Sequence, residues 1–399
     1  MAKRPSTKKS AKGKATAADK PTQESAQRPV AEQKHADELA VLCAADDGAR
    51  PTGWQMTPGR VIDFLCGTDG EKVSAKVGGS KTSLAISQKF IGPRDVVERC
   101  VVTLAGERGL LLVGQPGTAK SMLSELLAAA ISGDSTLTVQ GTAGTTENQL
   151  RYGWNYALLI DRGPSEQSLV PSPVMSAMQK GRLARIEEVT RCLPEVQDAL
   201  ISLLSERRIM IPEFGGDDPG VHAVSGFNVI ATANLQDRGV SEMSAALKRR
   251  FNFELIHPIA NHDQEVQLVK QQSQTMLADA DLQSAVDETL LNLLVTIFRD
   301  LRSGLTAEGW SVERPATAMS TAEAVSVSNA IFRQATFFRE QTDPVSLVPG
   351  HLLGVVLKDD AAERQRLLAY WDGPVRRRAD EGDKLYQRLF DLRDQITDE

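Results

Sequence analysis

Aromatic residues are scarce, at 5% of 399 positions, and the chain holds only four cysteines and five histidines. No apolar run approaches the roughly 18 residues needed to span a bilayer. Stretches such as Leu110 to Val113 have the length of strands, which argues against a membrane protein. Cys43, Cys66, Cys100 and Cys192 stand far apart, without a Cys-x-x-Cys pair and without histidine at metal-ligand spacing. They read as reduced thiols of a cytoplasmic protein, neither a disulfide framework nor a zinc site. His222, His257 and His262 are scattered and read as neither catalytic groups nor ligands. The N-terminus has no apolar core of the kind a secretory signal carries.

What is present is unevenly charged. The formal net charge is −6, yet residues 1–35 alone carry nine Lys or Arg against three acids, leaving a balance of −12 on the rest. A Lys-, Ala- and Ser-rich stretch of this kind cannot bury a core, so a disordered basic tail is expected over 1–35. At roughly 150 residues per domain the remainder suggests two or three units. Residues 36–89 read as two short helices around Arg50-Pro-Thr-Gly53, then a small hairpin. From 90 to 260 apolar strands alternate with helices, the mark of a parallel sheet covered on both faces. From 261 to 399 only helical periodicity remains, and the charged helices near the C-terminus read as solvated surface. The expected fold class is therefore α/β, with an all-helical lid after it.

The strongest local signal is Gly114-Gln115-Pro116-Gly117-Thr118-Ala119-Lys120-Ser121, between a strand ending at Val113 and a helix beginning near Ser121. It fits G-x-x-x-x-G-K-[ST], in which backbone N–H groups cradle phosphates, the lysine reaches the outer phosphates and the hydroxyl meets Mg²⁺. Ala119 stands where the second consensus glycine would be. On sequence grounds this position turns into the helix and needs no positive φ. A nucleotide, with Mg²⁺, is the implied ligand, and its phosphates lie at the helix N-terminus.

Such a core needs an acid at the end of a later strand to hold Mg²⁺ and a second to activate water. Gly181 to Val189 supplies Glu187 for the metal and Glu188 as general base, at the carboxyl end of a strand. Arg185 breaks the apolar run, so the strand reads as a poor one.

Here the sequence resembles a known group. Glu187 to Leu200, with Arg191, Pro194 and Gln197, followed by Leu203-Leu-Ser-Glu-Arg207, is similar to the Walker B segment and following helix of MoxR-type AAA+ ATPases. Phe227 to Asn234 resembles the sensor 1 strand, and Met243 to Phe251 resembles the segment that carries the arginine finger. The resemblance implies that Asn234 orients the attacking water or contacts the γ-phosphate. It implies that Arg250, or the adjacent Arg249, reaches a neighbouring subunit's nucleotide, hence a homo-oligomeric, hexameric ring. Phe90-Ile91-Gly92 resembles the segment whose apolar side chain meets adenine. Thr145 to Met178, with Trp154 and Tyr156, matches the insert of the helix-2-insert branch, and 209–224 its following hairpin. The resemblance further implies an ATP-hydrolysing, chaperone-like ATPase acting on a client protein with a von Willebrand A domain.

Two departures qualify that implication. Glu187 replaces aspartate, moving the carboxylate by a methylene, and Ala322 occupies the place of the sensor 2 arginine, with Arg314 upstream as a substitute. They motivate a second reading, a nucleotide-dependent switch or scaffold with little turnover. A nucleic-acid motor, suggested by the tail, is disfavoured by the acidic body and by the lack of an aromatic-basic stacking pattern.

Overall fold

The computed structural model describes residues 28–234, 241–278, 287–338, 343–357 and 362–397. Most of the expected basic tail, residues 1–27, lies outside the described residues. The described end of that stretch is folded: Ala31–Lys34 is a short helix, and Glu32 accepts hydrogen bonds from the backbone and hydroxyl of Ser135.

Five parallel strands form the central sheet: β1 (Gly109–Val113), β2 (Thr138–Gln140), β3 (Leu183–Glu187), β4 (Asn228–Ala233) and β5 (Phe251–Leu255). Their spatial order is β5-β1-β4-β3-β2. Every residue of β1, β3 and β4 is buried, as a sheet covered on both faces requires. Helices α1 (Arg94–Ala105) and α2 (Lys120–Ser132) cover one face. Helices α3 (Pro173–Lys180) and α4 (Pro194–Glu206) cover the other. Local sequence sets these ends. Ser172 caps α3 by accepting from the Met175 N–H, proline opens both α3 and α4, and Gly181 closes α3 with φ 62°.

Arg185 does not break β3. Residues 183, 185 and 187 face α2, while Ala184 and Ile186 face the opposite helices. The arginine is buried because a carboxylate two residues on, on the same face, neutralises it.

The helix Ala36–Ala44, the helix Pro58–Cys66 and the hairpin Lys72–Val77 with Ser80–Ala85 follow the sequence reading. Leu42, Phe64 and Leu65 share one apolar cluster with Leu123, Leu126 and Leu127 of α2, so this segment forms part of the back of the phosphate-loop helix. The insert forms a two-stranded pairing of Tyr152–Trp154 with Leu169–Pro171. Arg208–Met210 pairs antiparallel with Gly220–His222, as the turn-rich sequence between them predicts.

Beyond β5 the described elements are helical, among them α5 (His262–Ala278), α6 (Glu288–Ser303) and α7 (Thr321–Phe337). They build an apolar cluster of their own, from Val266 to Ile396. The C-terminal helices are not merely solvated surface: Leu367, Tyr370, Trp371, Val375 and Leu389 sit inside that cluster. A π-helical turn, Trp371–Val375, carries Pro374, and the Trp371 indole N–H donates to the Leu389 carbonyl at 3.0 Å. Tyr370, the last residue before that turn, and Trp371, its first, are both almost fully buried. Among the described residues no helix is long and apolar enough to cross a membrane.

Candidate nucleotide-binding site

A cleft opens where β1 hands over to α2, at the carboxyl end of the strands. One wall is the loop Gln115 to Ala119. A second is Lys89, Phe90 and Ile91, with His257, Pro258 and Ile259 beside them. The third comes from the C-terminal helices, through Leu268 of α5, Arg302 of α6, and Ser320 and Thr321 at the start of α7. Gln115 to Ala119 of the predicted loop and Ile91 are thus brought together, while Gly114, Lys120 and Ser121 are not among the lining residues. His257, which the sequence left without a role, is on the same wall.

The loop is tightly built. Gly117 has φ 75°, and a Cβ there would lie 2.2 Å from the Ser320 Cβ, so the loop tip touches the N-cap of α7. Ala119 has φ 62°, in the left-handed region, contrary to the sequence expectation that no positive φ is needed. For a residue with a Cβ this conformation costs roughly 1–2 kcal/mol. The Lys120 ammonium donates to the Gly114 carbonyl at 2.8 Å and the Gln115 carbonyl at 2.7 Å, within the loop's mouth. Burial lowers its pKa, while the charges of Glu188 and Glu187 favour the protonated form.

Glu187 sits beneath the loop, 5% exposed. Its Oε2 accepts from the Ser121 hydroxyl at 2.7 Å and the Thr232 hydroxyl at 2.8 Å. Its Oε1 accepts from the Ser124 hydroxyl at 2.6 Å and from Arg185 at 2.8 Å. Burial alone would raise the carboxyl pKa. The Ser124 and Ser121 hydroxyls, the Arg185 charge and the Thr232 hydroxyl outweigh it and hold the group below its usual range. The two expected metal ligands, Ser121 and Glu187, are therefore adjacent although 66 residues apart in sequence. Among the described residues no cluster of three or more His, Cys, Asp or Glu could hold a metal ion. A Mg²⁺ on Ser121 and Glu187 would complete its shell with phosphate and water, its usual mode.

Glu188 follows with φ 55°, a second left-handed non-glycine residue. Its backbone N–H donates to the Thr232 hydroxyl at 2.9 Å, and its carboxylate pairs with Arg191 at 2.7 Å. Thr232, on β4, thus ties both acids together, a link that the sequence reading missed. Asn234 lies one residue past β4, half-buried. Residues 235–240 after it are outside the described residues.

Arg249 and Arg250 are not brought into this cleft. They follow the helix Ala245–Lys248; Arg249 is exposed, and Arg250 donates to the Ser205 hydroxyl at 2.8 Å and the Ala246 carbonyl. Ala322 is exposed on α7, and Arg314 donates to the Ser303 carbonyl without lining the cleft. The arginine of the helical part that does line it is Arg302. Its Nη2 donates to both oxygens of the fully buried Glu265, at 2.9 and 2.8 Å, and its Nη1 donates to the Met319 carbonyl. Nothing local marked Arg302, which is remote from the loop in sequence and sits in an ordinary amphipathic helix.

A five-stranded parallel sheet with a phosphate loop after β1, two acids ending β3 and a helical region closing the cleft defines the AAA+ class of P-loop proteins. Residues 109–251 match the AAA domain of the dynein-related subfamily, and residues 263–397 match the YehL-like AAA+ ATPase C-terminal domain. YehL of Escherichia coli strain K12 is 46% identical over 350 residues, covering 88% of this chain and 92% of YehL. The chain belongs to the YehL-like AAA+ ATPases. SH1500 of Staphylococcus haemolyticus is 27% identical over 198 residues, covering 49% of this chain and 69% of SH1500. Among solved structures, NtrX from Brucella abortus in complex with ADP overlaps with a TM-score of 0.41 at 13% identity. That overlap covers 64% of this chain and 52% of NtrX, about half its length.

Proposed function

We propose that this chain binds ATP with Mg²⁺ in the cleft and hydrolyses it as a ring-forming, MoxR-like remodelling ATPase. The observation that carries this reading is the 2.7 Å contact between the phosphate-loop hydroxyl Ser121 and Glu187, with Glu188 next to it in a strained conformation. Strain of this kind persists where surrounding structure over-determines it, and it concentrates at active sites.

In this reading Gly114 to Ala119 offer backbone N–H groups to the phosphates, and Lys120 leaves its loop carbonyls for phosphate oxygens. Ser121 and Glu187 hold Mg²⁺, which supplies charge neutralisation at those oxygens. Glu188 accepts the proton of the attacking water, and Asn234 orients that water. Ile91 and Phe90 meet the base. Arg250, or Arg249, points away from its own cleft and serves the nucleotide of an adjacent copy, so turnover requires assembly. The core of 90–260 binds the nucleotide and the lid of 261–399 closes on it. A protein client, with a von Willebrand A domain in the MoxR pattern, and a cytoplasmic setting complete the proposal. Nucleic acid is not the expected partner.

The second reading, a switch with little turnover, draws on one observation: all four hydrogen-bonding positions of Glu187 are already engaged, one of them by Arg185. Nucleotide binding and phosphate release by wild type, Lys120→Ala and Glu188→Gln separate the two. Lys120→Ala is expected to lose binding by about 100-fold or more, the scale of losing a charge-assisted phosphate contact. Glu188→Gln is expected to bind like wild type and to release phosphate at least about 100-fold more slowly, as loss of a general base implies. Wild-type turnover in Glu188→Gln sinks the catalytic assignment, and binding without turnover in wild type selects the switch.

A further inference from the structure

We propose that Arg185 is a positioning residue for the metal-side carboxylate, and that it makes glutamate the fitting acid at position 187. The inference rests on the reading of the cleft as a Mg²⁺-nucleotide site.

Arg185 spends its whole guanidinium inside the protein. Nε donates to the Ser124 hydroxyl at 3.0 Å. Nη1 donates to the Ser135 carbonyl at 2.9 Å and the Thr138 hydroxyl at 3.2 Å. Nη2 donates to the Ser121 carbonyl at 3.1 Å and to Glu187 Oε1 at 2.8 Å. That uses all five N–H donors of the fork, each on a partner fixed in β2, α2 or β3 or the turn before β2. A guanidinium so held cannot swing, and it serves as a rigid anchor for one carboxylate oxygen.

The consequence falls on the other oxygen. Ser124 and Arg185 hold Oε1 inward, and Oε2 faces Ser121 of the phosphate loop and Thr232 of β4. Ser121 and Ser124 lie three residues apart on one face of α2, opposite residues 185 and 187 on one face of β3. The carboxylate bridges the two serines. An aspartate, one methylene shorter, could not keep both Oε1 on its anchor and Oε2 on Ser121. The longer side chain and the buried arginine thus form one unit, and the extra torsion of glutamate costs no precision because Oε1 is pinned.

The test is a Mg²⁺ titration of fluorescent ADP binding to the full chain, with EDTA as the metal-free reference, for wild type, Glu187→Asp, Ser124→Ala and Arg185→Lys. In Glu187→Asp the Mg²⁺ midpoint is expected to rise about tenfold or more, the scale of disturbing a ligand or its support. In Ser124→Ala, which removes one neutral anchor, it is expected to rise about threefold. Metal-free ADP binding stays unchanged in Ser124→Ala. A midpoint in Glu187→Asp at or below wild type overturns the proposal. So does a lowered melting temperature with an unmoved midpoint in Ser124→Ala and Arg185→Lys, since that is what a merely structural pair would give. Should Arg185→Lys fail to fold, the other two variants carry the decision. Wild-type ADP binding that ignores Mg²⁺ would remove the underlying site reading instead, and the two failures are told apart on the unmutated protein.

Discussion

Two buried carboxylates, one in the sheet and one in the helical part, differ in their surroundings. Glu187, on the sheet side, is met by one arginine and three hydroxyls. Glu265, on the helical side, is met by Arg299 and Arg302 and by the Thr321 hydroxyl. The first group is neutral in sum, with one carboxylate oxygen turned to the loop hydroxyl. The second carries a surplus positive charge, with one of its cations on the cleft wall. Burying a charge is tolerated only with a partner, and the choice of partners decides what a site still attracts. The helical side thus keeps a cation on the cleft wall, while the charge on the sheet side is balanced.

The comparison can be broken most directly at Glu265→Gln. Two arginines would lose their counter-charge inside the protein, a loss on the order of 3–5 kcal/mol. Urea denaturation of the full chain measures it, and a loss under about 1 kcal/mol would mean that solvent already compensates the pair.

Gly117→Ala probes where the two sides meet. A methyl 2.2 Å from the Ser320 Cβ, at φ 75°, is expected to cost about 1–3 kcal/mol and to loosen the loop against α7. An unchanged melting temperature would show that the two walls part freely.

Arg299→Met and Arg302→Met sharpen the contrast within one network. Both arginines touch Glu265, but only Arg302 lines the cleft. Comparable losses of stability are expected, while ATP affinity should fall only in Arg302→Met, by about tenfold, or about 1.4 kcal/mol. Equal effects on affinity would place the cation surplus outside the binding surface.

The smallest expected effect is on acid stability. The Glu187 carboxyl sits below its ordinary value of 4.5 in the folded chain. Its stabilisation is complete above that value and drains away as pH falls through the lower folded pKa. Melting curves below pH 4.5 should therefore be flatter for Glu187→Gln than for wild type. Parallel curves would assign the acid limb to other groups.

Much of this was legible in the residues. An apolar run, a glycine-rich turn and Lys-Ser before a helix define a phosphate loop with little help from packing, because each requirement is local. Other features were not legible, for physical reasons. Alanine carries no signal of a left-handed conformation, so the strain at Ala119 was invisible. A charge in a strand looks like a break unless its partner is recognised, and Glu187 two residues on was already cast as a metal ligand. Arg302 reaches the cleft only through the packing of α5, α6 and α7. Arg249 and Arg250 were singled out in sequence by resemblance alone, and neither lines the cleft.

The contact between Gly117 and Ser320 has one more consequence. With no clearance even for a methyl group, the helical cap rests against the loop as a door rests against its frame. It cannot swing further inward over the loop tip unless the loop itself deforms. Anything thicker than that contact, if placed between them, would have to part the cap from the loop.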